Sequence, residues 1–122
     1  MTVAAAIRIT SPDEARVIEH AADFARQQGE TCYVISVIRD YSVGEEQNDI
    51  VRRNFQLISD AQAVPIMQEG DDIAPALIAA ARWFGVRTLF LQSGTSRLLG
   101  RSIAEQLLYL NPPFDVVVVS SE

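Results

Sequence analysis

Apolar and polar residues alternate in blocks along this chain, and the rhythm of the apolar positions changes from block to block. Thr2 to Ile9 is a short run rich in Val, Ile and Ala, and reads as a strand. Ser11-Pro12-Asp13-Glu14 then reads as a helix start: Ser11 caps, Pro12 suits the first helical position, and Glu14 completes a capping box. Val17, Ile18, Ala21, Phe24 and Ala25 follow at helical spacing, and Gly29 ends that helix. Thr31 to Ile38 ("TCYVISVI") is a second strand, and Asp40 to Gln47 a polar connection. Ile50, Val51, Phe55, Ile58 and Ala61 mark the core side of a second helix, and Ala63 to Met67 a short third strand.

Gly70-Asp71-Asp72 leads into a third helix with Ile73, Leu77, Ala80, Ala81 and Phe84 on its apolar side and Gly85 as its stop. Trp83, near its end, reads as half-buried packing. Val86 to Leu91 is a fourth strand. Ser102 and Glu105 form a capping box that opens a fourth helix, and Phe114 to Ser120 is the last strand. Near-continuous apolar strands with helices between them predict a parallel sheet covered on both faces. The expected class is α/β, one domain over residues 1–122, without internal repeats or low-complexity segments.

Composition narrows the function. At 122 residues and 48% hydrophobic content the chain fits one domain with a real core. No apolar run approaches bilayer length, and no basic region precedes an apolar stretch as in a signal peptide. Cys32, the single cysteine, lies inside a strand and reads as a buried, inert thiol. These features point to a cytoplasmic protein without direct membrane insertion. A net charge of -6 with no concentrated basic face argues against nucleic acid as a partner. All ten basic residues are arginine, so a P-loop lysine, a Schiff base and a lysine base are excluded. One histidine and one cysteine cannot build a His/Cys metal cluster. His20 falls on the polar side of the first helix with Arg16 and Asp23, and reads as solvated. The carboxylates of Glu69 to Asp72 sit at a helix start, where capping is a better reading than a magnesium site.

Open parallel sheets bind ligands beyond the carboxyl ends of their strands, where strand order reverses. The loops there are Thr10-Ser11, Arg39 to Gln47, Gln68 to Asp72 and Gln92 to Arg101. "QSGTS" contains Ser93, Gly94, Thr95 and Ser96, small enough for backbone N–H groups to approach a phosphate. Spacing alone favours a plain polar turn. Arg97 and Arg101 flank it, close to a helix N-terminus whose dipole repels them unless an anion is bound. The alternative places both in water, with Arg101 reaching Glu105 at surface-pair strength. Ser102 offers its hydroxyl either to a phosphate or to its own cap. A response-regulator reading fails, because the places of its acidic pair and phospho-accepting aspartate hold Ile9-Thr10-Ser11 and Gln68-Glu69-Gly70.

Three stretches, "RITSPDEARVIEHAADFA", "EGDDIAPALIAAARWFGVRTLFLQSG" and "RLLGRSIAEQLL" before the valine-rich last strand, resemble the universal stress protein family over nearly the whole chain. The resemblance implies a three-layer α/β/α fold of the adenine nucleotide α-hydrolase type with a five-stranded parallel sheet. It also implies dimers and, in one branch, ATP or AMP binding. That branch carries Gly, two residues, Gly, nine residues, then Gly-Ser or Gly-Thr. Aligned here, the first glycine falls at Gln92 and the second at Thr95, or at Gly94 if the turn is one residue shorter. The spacer is several residues short. The final glycine falls at Arg101, with Gly100 one place early, and Ser102 fits. The family's nucleoside-binding aspartate falls at Ile9, and its second-strand valine at Val37. The candidate ligand residues are therefore Val37, Gly94, Thr95, Ser96, Arg97, Gly100, Arg101 and Ser102.

The expected function is a universal-stress-protein-like regulatory module, not an enzyme, acting by dimerisation and partner docking with ATP binding weak or lost. A homodimer is expected through the edge strand Val116 to Val119, which carries no charge or proline. The alternative is a sensor of ATP, AMP or another anion, including the regulatory domain of a parent transporter or sensor kinase.

Overall fold

The structure is a computed structural model, describing residues 2–39, 45–93, 97–98 and 101–120, with the backbone alone at 45–46, 97–98 and 101. The elements run β1 (Thr2–Ile7), α1 (Ala15–Gln28), β2 (Thr31–Ile38), α2 (Glu45–Asp60), β3 (Val64–Glu69) and α3 (Ile73–Trp83). They continue with β4 (Val86–Gln92), β5 (Arg97–Leu98), β6 (Arg101–Ser102), α4 (Ile103–Tyr109) and β7 (Asp115–Val119). Five strands form one sheet in the order β3-β2-β1-β4-β7, and its four pairings are all parallel.

Strand β1 lies at the centre, and its sequence explains why. Val3 to Ile7 are all buried, and Ala4, Ala5 and Ala6 are small enough for helices to close over both faces. Alternation then divides the core. Val3, Ala5 and Ile7 join Val17, Ile18 and Ala21 of α1 and Ile58 of α2 in one cluster. Ala4 and Ala6 join Leu77 and Ala81 of α3 and Ile103 and Leu107 of α4 in the other. A pair of β-branched or aromatic residues in place of the alanines would push these layers apart.

Gly29 ends α1 with φ 64°, where a glycine is favoured, and the N–H of Glu30 bonds the Ala25 carbonyl at 2.8 Å. Three expectations need correction. Helix α1 starts at Ala15, because the residues expected to form its first turn make a separate polar turn described below. On α2 the inward position is taken by Asn54, 1% exposed, while Phe55 is 37% exposed. Trp83 is 84% exposed, since it shares the outer side of α3 with Ala79 while Ala80 and Ala81 face the sheet.

Candidate functional site

Strand order reverses between β1 and β4: from β1 the chain moves outward through β2 and β3, then returns to the other side of β1 for β4 and β7. The carboxyl ends of β1 and β4 therefore flank the switch point, where α/β sheets bind ligands. The loops at issue are 8–14 after β1 and the segment after Gln92.

The loop after β1 is a closed polar turn. The N–H of Ser11 bonds the Arg8 carbonyl at 3.0 Å, and the Ser11 hydroxyl accepts from Asp13 N–H at 3.4 Å. Asn54 reaches in from α2 and donates through Nδ2 to the carbonyls of Ile9 at 2.7 Å and Ser11 at 2.8 Å. Glu14 folds back, and its Oε1 accepts from Arg8 N–H at 3.2 Å. The Glu14 side chain is almost fully enclosed, at 2% exposure, and its Oε2 has no hydrogen-bond partner. Burial pushes its pKa up, against the smaller opposing pull of the Arg8 N–H, the Arg8 charge and the Ser11 hydroxyl.

Ile9 occupies the position where the resemblance places an aspartate. It is 4% exposed and packs in the core cluster shared with α1 and α2. Its side chain offers no acceptor, and its carbonyl is already engaged by Asn54.

The segment after β4 differs from the simple turn expected. Ser93 N–H is pinned to the Val119 carbonyl at 2.8 Å, and Arg97–Leu98 pairs antiparallel with Arg101–Ser102. In this pairing Arg97 lies opposite Ser102, and Leu98 opposite Arg101. Among the candidate residues, Gly94, Thr95, Ser96 and Gly100 lie outside the described residues, and Arg97 and Arg101 are placed by backbone alone. Ser102 is the N-cap of α4, and its hydroxyl oxygen accepts from Glu105 N–H at 3.2 Å. Its own O–H is still a donor. Val37 lies on the α3/α4 side of β2, beside the β3–α3 turn: a Cβ built on Gly70 would stand 3.7 Å from Val37 Cγ1. Gly70 N–H bonds the Ile38 carbonyl at 3.0 Å, fastening that turn to the end of β2.

Sequence reasoning missed Asn54 and the enclosure of Glu14. A signal for Asn54 exists: it stands three residues after Val51 and four before Ile58, on the apolar stripe. Among the described residues no group of three or more His, Cys, Asp or Glu side chains is placed to hold a metal ion. No described helix is long and apolar enough to cross a membrane.

No protein-family model matches the chain, and no curated protein sequence matches it. Solved structures do. A universal stress protein in complex with cAMP superposes with a TM-score of 0.76 at 18% identity, covering 100% of this chain and 98% of that one. A universal stress protein from Archaeoglobus fulgidus in complex with dAMP gives 0.70 at 17% identity, covering 97% and 96%. A universal stress protein family member from Burkholderia pseudomallei gives 0.66 at 19% identity, covering 97% and 95%. The chain has the universal stress protein fold.

Proposed function

We propose that this chain is a regulatory module of the universal stress protein type, cytoplasmic and without catalysis, that works by pairing with its own copy and docking partners. The observation that carries this reading is the edge position of β7, which among the described strands pairs with β4 alone. This edge strand presents Val117 at 38% and Val118 at 50% exposure, in a run with no charge and no proline from Val116 to Val119. Leu108, Tyr109 and Leu110, at the end of the helix before it, are also exposed. Strand edges of this kind pair with other strands, and a two-fold axis closes the pair. The mass of the chain in solution tests the reading, with a dimer expected and a monomer at high concentration counting against it.

Weak or lost ATP binding is part of the same reading, and Ile9 supports it. A buried isoleucine cannot accept a hydrogen bond from a nucleoside, and Gln92 puts a side chain where the family's first glycine lets phosphate approach.

The cAMP and dAMP held by two structural neighbours favour a second reading, an adenine-nucleotide or anion sensor using Val37 and the 92–102 segment. Such a sensor could serve a parent transporter or kinase. Thermal shift separates the two. A ligand at one hundred times its Kd adds about 2.7 kcal/mol to the folded state. Millimolar magnesium-ATP, AMP or cAMP is expected to leave Tm almost unchanged. A clear rise that disappears in Gly94→Val or Ser102→Ala establishes the sensor instead.

A further inference from the structure

The loop between β1 and α1 is fastened from two directions. Asn54 holds its carbonyls from α2, and Glu14 holds the Arg8 N–H from the start of α1. The two fasteners differ in one respect. The amide of Asn54 is neutral at every pH. The carboxyl of Glu14 is enclosed at 2% exposure, accepts from Arg8 N–H through Oε1 with the Ser11 hydroxyl acting on the same group, and leaves Oε2 without a hydrogen-bond partner. An ionised carboxylate wants several donors, and losing them to burial is costly. With a proton on Oε2 the group is neutral and the closed turn is tolerated. Without the proton, the shortest route to more donors is water, which reaches Oε2 when the turn loosens.

We propose that Glu14 is a proton-operated latch on the β1–α1 junction: the protonated carboxyl keeps the junction closed, and the ionised carboxyl opens it to water. The proton passes to and from solvent. Among the described residues, two charges act on the group. Arg8, at the end of β1, favours the ionised form, and Asp13, in the turn, opposes it. The Ser11 hydroxyl also favours the ionised form, and α2 contributes the neutral Asn54 to the same turn. Burial outweighs the favourable contacts, so the folded protein holds the proton more tightly than the unfolded chain. The stability that Glu14 contributes is therefore complete below its unfolded pKa and is lost as pH rises through the higher folded value. Since the junction borders the switch point, opening it alters the carboxyl end of the central strand, where α/β sheets bind ligands.

The test is a carbon-detected NMR titration of the Glu14 carboxyl in the full chain, against the same group in the urea-unfolded chain. The Arg8 amide is followed in parallel by hydrogen exchange, corrected for its intrinsic pH dependence. The folded midpoint is expected above the unfolded one, with Arg8 protection falling several-fold across it. In Glu14→Gln, which keeps an acceptor for Arg8 and cannot ionise, that fall is expected to vanish. A folded midpoint equal to or below the unfolded one overturns the latch, and so does the same loss of Arg8 protection in Glu14→Gln. If the variant does not fold, the wild-type midpoint and Arg8 profile decide alone.

Discussion

Asn54 satisfies two carbonyls that no sheet or helix ladder reaches. Ile9 and Ser11 lie between β1 and α1, and one amide group serves both, at 2.7 and 2.8 Å. Replacing it leaves buried acceptors without partners, at about 1–3 kcal/mol each before relaxation or water entry. Asn54→Ala is therefore expected to lower the urea midpoint by an amount equivalent to at least about 1 kcal/mol, with m unchanged. A variant as stable as the wild type would show that water substitutes fully for the amide. The residue scale is also where the sequence is hardest to read. Asn54 looks like an interruption of an apolar stripe, and its partners lie 43 and 45 positions away. Glu14 fits a capping box in sequence, yet in space it grips Arg8. Cys32 is simpler: it lies inside β2 as its pattern implies, and burial pushes its thiol pKa up to about 11, so it carries almost no thiolate at neutral pH.

At the scale of elements, the period of apolar residues was sufficient for most of the fold. All five sheet strands and four helices fall where the pattern predicts them, with ends shifted by a few residues. The pattern misses what depends on local bonding or on the outer surface. The β5–β6 pair consists of two residues on each side, too short to leave a period. Trp83, near the end of an amphipathic helix, reads in sequence as half-buried packing, whereas its helical phase places it outside. Gly70 carries a constraint that no pattern announces. A Cβ there would lie 2.8 Å from the Cβ of Ala76, so the β3–α3 turn can approach α3 only without a side chain. Gly70→Ala is expected to destabilise the protein by about 1–3 kcal/mol, as overpacking typically does. Equilibrium urea unfolding checks this, and an unchanged midpoint would mean that the turn moves aside freely. Because Val37 borders Gly70, the same displacement would disturb the end of β2.

At the scale of the whole molecule, the two edges of the sheet are built differently. Edge strand β3 contains Pro65, which lacks a backbone donor and discourages pairing. Edge strand β7 contains four consecutive valines and no proline. The contrast places the proposed association at β7 rather than β3. The candidate ligand edge is less legible at this scale, since the spacing that the resemblance implies fits this sequence poorly and Ile9, where it implies an aspartate, packs in the core. Val118→Lys tests the association with little risk to folding, because the position is already half exposed and the ammonium can reach water. Val116→Pro removes a backbone donor from the outward side of the same edge, because the bond from Ser93 N–H to the Val119 carbonyl turns the backbone groups of Val117 and Val119 toward β4 and those of Val116 and Val118 away from it. The most direct measurement is the solution mass by multi-angle light scattering across a concentration series, for the wild type and both variants. The account predicts twice the 13.5 kDa chain mass for the wild type, and a shift toward the single-chain mass in at least one variant. A wild-type chain that stays at 13.5 kDa up to high micromolar concentration, or a dimer untouched by both substitutions, would contradict it.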